Sequence, residues 1–278
     1  MRHIITTKVA VVGIILFAAT AFAGEMNQRS TKPWEKGSIT LGVFLTDTDS
    51  TVRIGAPGYG VTVDVEETLA LETTTTVFRT DGMWRFSDNL RHRIDASWFA
   101  LRRNGSTTIG RDITIDGTVI PTGSNVTTRF DLDIFKLGYS YSFFQDNRMD
   151  LAVGAGLFIT PIGFELNATG AVNKYTAESV TAPLPVVGLR ADFAITPKWI
   201  LKNSLDLFYL EIGDFKGSIV DLKAAIEYNW FKNFGIGMGI ESFNLEVEAQ
   251  GSDYPNVDFV GAFGFNYLGL ILYGKLYF

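Results

Sequence analysis

The feature that most constrains this chain is a two-residue alternation that starts near residue 35 and runs almost to the end. Val220, Leu222, Ala224, Ile226, Tyr228 and Trp230 fall on one face of an extended segment, while Asp221, Lys223, Ala225, Glu227 and Asn229 fall on the other. The same split recurs at 148–161, where Leu151, Val153, Ala155, Leu157 and Ile159 oppose Asp150, Ala152, Gly154 and Gly156. At 73–87, Phe78, Thr80, Gly82, Trp84 and Phe86 oppose Arg79, Asp81, Met83 and Arg85. Ten such segments are predicted as strands, near 37–47, 73–87, 91–103, 127–144, 148–161, 184–196, 198–212, 217–230, 234–248 and 257–278. Helical spacing is almost absent from this region, so the fold is all-β.

The connections decide between kinds of β-fold. SDNL, QDNR, TPK and FKN are tight turns, whereas 48–72, 104–126, 162–183 and 249–256 are long and polar, with only EIGDFKG short on that side. A soluble sandwich gives no reason for long and short connections to take turns. An antiparallel transmembrane β-barrel does, because short turns face the periplasm and long loops face outside. About ten strands are expected, with eight or twelve also compatible. Phe86, Phe143, Trp199, Trp230 and Phe278 lie at the short-turn ends, where an interfacial aromatic girdle belongs, and Trp34 precedes the first strand on that side.

The amino terminus supports export. Arg2 and Lys8 flank an apolar run from Val9 to Phe17, and Ala21 and Ala23 form an A-x-A pattern, which places cleavage after Ala23. The expected organisation is a signal peptide at 1–23, a periplasmic N-terminal segment at 24–36 and one barrel domain at 37–278. Losing Arg2 and Lys8 takes the formal charge from −6 to −8, which argues against nucleic acid as a partner. No cysteine is present, so some device other than disulfides must hold an exported chain of this size together. Asn-x-Ser/Thr patterns at Asn104, Asn125 and Asn167 are short enough to arise by chance.

The last strand ends LILYGKLYF, with Leu270, Leu272, Gly274, Leu276 and Phe278 on one face. In its first half the large residues switch parity to Phe259, Phe263, Phe265 and Tyr267, which predicts a bulge or two separate strands. Alternation, loop asymmetry and the terminal GKLYF together make the mature chain resemble the small bacterial outer-membrane β-barrel proteins of the OmpA/OmpW-like kind. That resemblance implies residence in the bacterial outer membrane, amid its lipid and lipopolysaccharide, and a C-terminal assembly signal at Leu276 and Phe278 read by the barrel-insertion machinery. A monomer is expected. No family signature for an activity can be matched residue by residue.

The chemistry-bearing residues point inward. Arg79 and Asp81, Arg93 and Asp95, and Arg190 and Asp192 each put opposite charges on one strand face, and Asp221 and Lys223 do so in reverse order. With Arg85, Lys136, Lys202, Lys275, Asp150, Asp206, Glu227 and Glu241, these make eight cations and eight anions assigned to the lumen, since hydrocarbon would exclude them. Their balance predicts pairing across neighbouring strands and a largely filled interior that blocks ion flow, opened by replacing Arg79 and Arg93 with serine. Barrel enzymes of this class place a histidine at the outer rim; here His3 leaves with the signal peptide and His92 sits beside a periplasmic turn. Neither a catalytic site nor a cofactor is expected. Asp47, Asp49, Asp64, Glu66 and Glu67 in the first long connection could converge on a hard cation, against the plainer reading of a solvated acidic loop. The expected role is structural or surface-interacting, the alternative a narrow porin-like channel for small solutes, and the third an outer-membrane hydrolase.

Overall fold

The computed structural model describes residues 33–54, 63–115, 118–170, 173–254 and 257–278; the expected signal peptide and residues 24–32 lie outside it. Ten long strands form the wall: β1 (Gly37–Ile54), β3 (Thr74–Arg85), β4 (His92–Thr108), β7 (Asn125–Gln145), β8 (Met149–Thr169), β9 (Lys174–Ala194), β10 (Trp199–Ile212), β11 (Phe215–Asn229), β12 (Phe234–Tyr254) and β13 (Val257–Tyr277). The remaining elements belong to the outer connections: β2 (Val63–Asp64), the helix α1 (Val65–Leu69), and the small hairpin of β5 (Ile113–Ile115) and β6 (Thr118–Ile120). Every neighbouring pair of long strands is antiparallel, and β13 returns to pair with β1 from Ser38↔Tyr277 to Ile54↔Gly261. That closure removes the sheet edges, which is the condition for a sheet to cross lipid.

The turns on one side are short, as alternation predicts. The other side differs from expectation, because strands rather than loops occupy much of the polar connections. β8 runs on to Thr169 and β9 starts at Lys174, so the described part of the supposed loop at 162–183 is strand extension, apart from Gly170 and Asn173, and 249–254 likewise belong to β12. Above the membrane the outward residues become polar while the inward ones become apolar, and a strand with that reversed pattern reads locally as loop.

This polarity reversal organises the whole molecule. On β12, Ile236, Met238 and Ile240 are exposed and face outward, whereas Phe243, Leu245 and Val247 are buried and face inward. The crossover falls at Glu241 and Ser242. On β13, Leu268, Leu272 and Leu276 point out, and Phe263, Phe265 and Tyr267 point in. Pairing of β13 with β1 is continuous from Gly261 to Tyr277, so the predicted bulge or strand break is absent from that stretch. Parity changes because the medium changes: apolar side chains face lipid below the crossover and face the interior above it, where water surrounds the wall.

The outward apolar band is bounded by charge. β7 carries Phe143, Tyr141, Tyr139, Leu137 and Phe135 on its outer face before Asp133 and Asp131 begin, close to the ~9–11 residues a tilted strand needs to cross. Arg102 on β4 pairs there with Asp133 at 2.6 Å. At the periplasmic end Phe86, Phe143, Trp199, Trp230 and Phe278 are all exposed outward, as a girdle requires. Trp34 is the exception: it is buried beneath the lumen against Ala194, Ile200 and Leu90, and its indole Nε1 donates to the Asp146 carbonyl at 2.7 Å.

Candidate functional site

The interior divides into two tiers. The outer tier is an apolar core of Phe99, Phe130, Leu132, Phe158, Leu166, Phe243, Leu245 and Phe265, all buried. Phe130 stacks on Phe263 and Phe265 at centroid separations of 5.7 and 6.1 Å, and Phe158 stacks on Phe243 at 6.5 Å, so opposite walls touch. Leu69 of α1 and the adjoining Leu71 complete this core from above. Arg103 reaches into it, its guanidinium 4.7 Å from the Phe130 ring, and forms an ion pair with Glu66 of α1 and a 2.7 Å hydrogen bond to Ser50.

The periplasmic tier is ionic. Arg79 donates to Glu241 at 2.6 Å and to Asp81 at 2.9 Å, while Lys136 joins Asp221 at 2.5 Å and Glu241 at 2.9 Å. Tyr267 donates to Glu241 at 2.5 Å. Lower down, Arg93 contacts Asp95 at 2.9 Å and Asp192 at 3.2 Å, and Arg85 contacts Asp150 at 2.7 Å. Arg190 holds Asp206 at 2.8 Å, and Lys223 lies 3.8 Å from Asp81. Expected pairing between neighbouring strands is therefore only part of the pattern. Arg79 and Glu241 sit on β3 and β12, and Arg93 and Asp192 on β4 and β9, so these pairs bridge the lumen. The same-face neighbours Arg190 and Asp192, and Asp221 and Lys223, take different partners. Only a closed barrel brings such distant staves within hydrogen-bond range.

Within the ionic tier lies a cavity of about 160 Å³, lined among others by Ser97, Arg190, Asp206, Asp221 and Glu227. Next to Lys202 and Glu227, which line it, lies a residue that strand reasoning missed. Glu35, just before β1, accepts from Lys202 at 2.7 Å and from Lys275 at 2.9 Å, and both lysines also contact Glu227, at 3.2 and 2.6 Å. Nothing in its local pattern marks Glu35 as internal, since it lies outside any alternating segment. The pairing of Arg103 with Glu66 was likewise not legible, because Arg103 closed the predicted strand 91–103 and Glu66 read only as part of the acidic connection.

The other singled-out residues are quickly placed. Leu276 and Phe278 face outward, and the Phe278 carbonyl accepts from Lys36 N at 2.8 Å and Gly37 N at 3.0 Å. His92 is on the outer face at the periplasmic end, its Nδ1 2.7 Å from the Tyr139 hydroxyl and its ring near Phe86 and Tyr141. The acidic connection does not converge: Asp47 and Asp49 are exposed outward, Glu66 turns inward to Arg103 and Ser50, and the side chains of Asp64 and Glu67 lie outside the description. Among the described residues no group of three His, Asp or Glu side chains could hold a metal ion.

A closed ring of ten antiparallel strands, apolar outside at membrane depth, charged inside, with an aromatic girdle and short periplasmic turns, defines an integral bacterial outer-membrane β-barrel. Among solved structures the chain is similar to the outer membrane protease OmpT from Escherichia coli, with TM-score 0.53 and 10% identity over 91% of this chain and 99% of that one. Ail of Yersinia pestis, solved with the heparin analogue sucrose octasulfate, gives 0.35 at 11% identity, over 86% and 99% of the two chains. The Pseudomonas putida toluene transporter TodX gives 0.37 at 8%, over 87% and 90%. At such identities the likeness to OmpT is one of fold. No family model matches the chain, and no curated protein matches its sequence.

Proposed function

We propose that the protein is a non-conducting, non-enzymatic barrel that works through its extracellular strand extensions, as a structural or surface-interaction protein. The observation that carries this reading is the sealed interior: the Phe130, Phe263 and Phe265 stack joins opposite walls above the ionic tier. A hydrated pathway would need room that these side chains take up. A filled lumen also agrees with ten strands, near the ~8-strand size whose interior side chains can fill. Against hydrolysis, the mature chain's single histidine, His92, lies on the lipid-facing surface at the periplasmic end. The narrower OmpA/OmpW-like grouping rests on the terminal GKLYF and the loop asymmetry and adds nothing to this choice of role.

Planar-bilayer recording with refolded protein tests the reading. Silence is expected, and stable ohmic openings would favour the channel instead. Turnover of lipid or peptide by the same preparation, abolished by replacing an outer-rim Ser, Asp or Glu, would favour the hydrolase.

A further inference from the structure

Within lipid the wall has no edge, but above it one reappears. β9 pairs with β8 from Met149↔Phe193 to Ala168↔Lys174. With β10 it pairs only from Ile200↔Ala194 to Leu207↔Val187, because β10 ends at Ile212 and turns into β11. The Ala194 amide donates to the Arg148 carbonyl on the β8 side, and the Ala191 carbonyl accepts from the Asn203 side chain on the β10 side. By the two-residue repeat, the odd-numbered residues of β9 therefore turn their main-chain groups toward β10. Beyond Val187 those residues are Pro185, Pro183, Thr181, Ser179, Ala177 and Tyr175 in rising order. The two prolines come where the β10 ladder stops, just above the outward apolar Val187 and Leu189, and a proline leaves no unpaired N–H there. From Thr181 upward the donors return, and among the described residues no strand pairs with them. The other upper seam is treated differently: β4 also outruns β3, whose last pair is Arg79↔Phe99, but Leu71 bridges Gly105 there.

We propose that the β9 edge at Tyr175, Ala177, Ser179 and Thr181 is a docking site for an extended, basic polypeptide segment of an extracellular partner, added to the wall as one more strand. Only an extended main chain matches donors and acceptors that repeat at every second residue. The exposed side chains of these four residues point to the outer face and leave the edge itself clear. Charge selects the occupant. Exposed carboxylates outnumber exposed cations over the outer half of the molecule; Glu165 stands in register with Ala177, and Glu211 and Asp214 belong to the adjoining β10–β11 turn, where Lys216 is the exposed cation. A second copy of this chain would bring the same carboxylates with it, which disfavours self-pairing. The inference deepens the surface role proposed above and rests on it for the occupant, whereas the open edge is independent of it.

Amide hydrogen exchange of the folded protein in zwitterionic micelles tests the edge first. The Ala177, Ser179 and Thr181 amides should exchange about 100-fold faster than those of Thr176, Glu178 and Val180, which face β8. Equal protection of both sets overturns the open edge. A short synthetic peptide alternating lysine and valine should then slow the three odd-numbered amides by about tenfold or more, and the same peptide N-methylated at every residue should not. Protection by the methylated peptide overturns strand addition, protection by a peptide alternating glutamate and valine overturns the charge assignment, and no protection by the lysine–valine peptide overturns the occupant. Ser179→Pro, which removes one donor from an exposed edge position, should abolish the protection at Ala177 and Thr181 with the heat-modifiable gel shift retained; protection that survives it counts against strand addition. Fast odd-numbered amides in a protein that conducts in planar bilayers would overturn the non-conducting reading and still support the edge.

Discussion

If the medium sets the parity of β12, substitutions along that one strand should change their cost from face to face as the crossover is passed. Three positions carry the test. Met238 faces outward between Phe234 and Ser242, near the middle of the apolar band, so Met238→Arg should cost about 2–4 kcal/mol. Glu246 also faces outward but lies beyond the crossover, so Glu246→Arg should stay within about 0.5 kcal/mol. Phe243 faces inward with no exposed surface, against Tyr267 at 5.1 Å and Phe158 at 6.5 Å; truncation to alanine should cost about 3–5 kcal/mol. Equilibrium urea unfolding of protein folded into phospholipid vesicles reads all three on one scale. A Glu246→Arg variant as destabilised as Met238→Arg would refute the crossover. So would a Phe243→Ala variant losing less than about 1 kcal/mol, since an apolar core cannot lose a fully buried ring so lightly.

Three further outcomes follow from the same geometry. Replacing Arg79 and Arg93 with serine should leave planar bilayers silent, because the aromatic tier above is untouched, yet should destabilise the fold by roughly 3–5 kcal/mol per broken buried pair; stepwise conductance would show that charge alone seals the lumen, as the sequence led us to expect. Deleting Phe278 removes its amide bond to the Gly37 carbonyl and its ring from over Gly37, so the seam of β1 and β13 should close poorly and the heat-modifiable band in outer-membrane fractions should weaken; normal assembly would count against a terminal signal. In the outer β5–β6 connection, Asp112 accepts from the Thr122 amide at 2.8 Å and its hydroxyl at 3.0 Å, which holds its carboxyl below the usual carboxylate range. A depressed folded value means the contribution is complete above the ordinary aspartate value of about 4 and is lost as pH falls through the lower one. Thr122 amide protection should accordingly fade at acid pH, and a profile unchanged by Asp112→Asn would refute the link.

By itself the sequence determined the wall. Alternation such as Val220 to Trp230 requires strands with one apolar face, a local property written in consecutive residues, and the tight turns at one end were legible in the same way, whereas of the long polar connections only those between β1 and β3 and between β4 and β7 are long in the structure. It also identified the charged inward face, since arginine and aspartate two positions apart cannot share hydrocarbon. Only the tertiary structure decided which charges meet: Arg79 finds Glu241 and Arg93 finds Asp192 across the lumen, at separations in sequence that no periodicity encodes. It alone placed Trp34 and Glu35 under the barrel, because a short segment outside any repeat carries no signal of where it docks. And it alone resolved the parity of Phe263, Phe265 and Tyr267. Alternation tells which residues share a face but not what lies beyond that face, and the same apolar side chain that seeks lipid at Leu272 seeks the interior at Phe265 once the strand has risen into water.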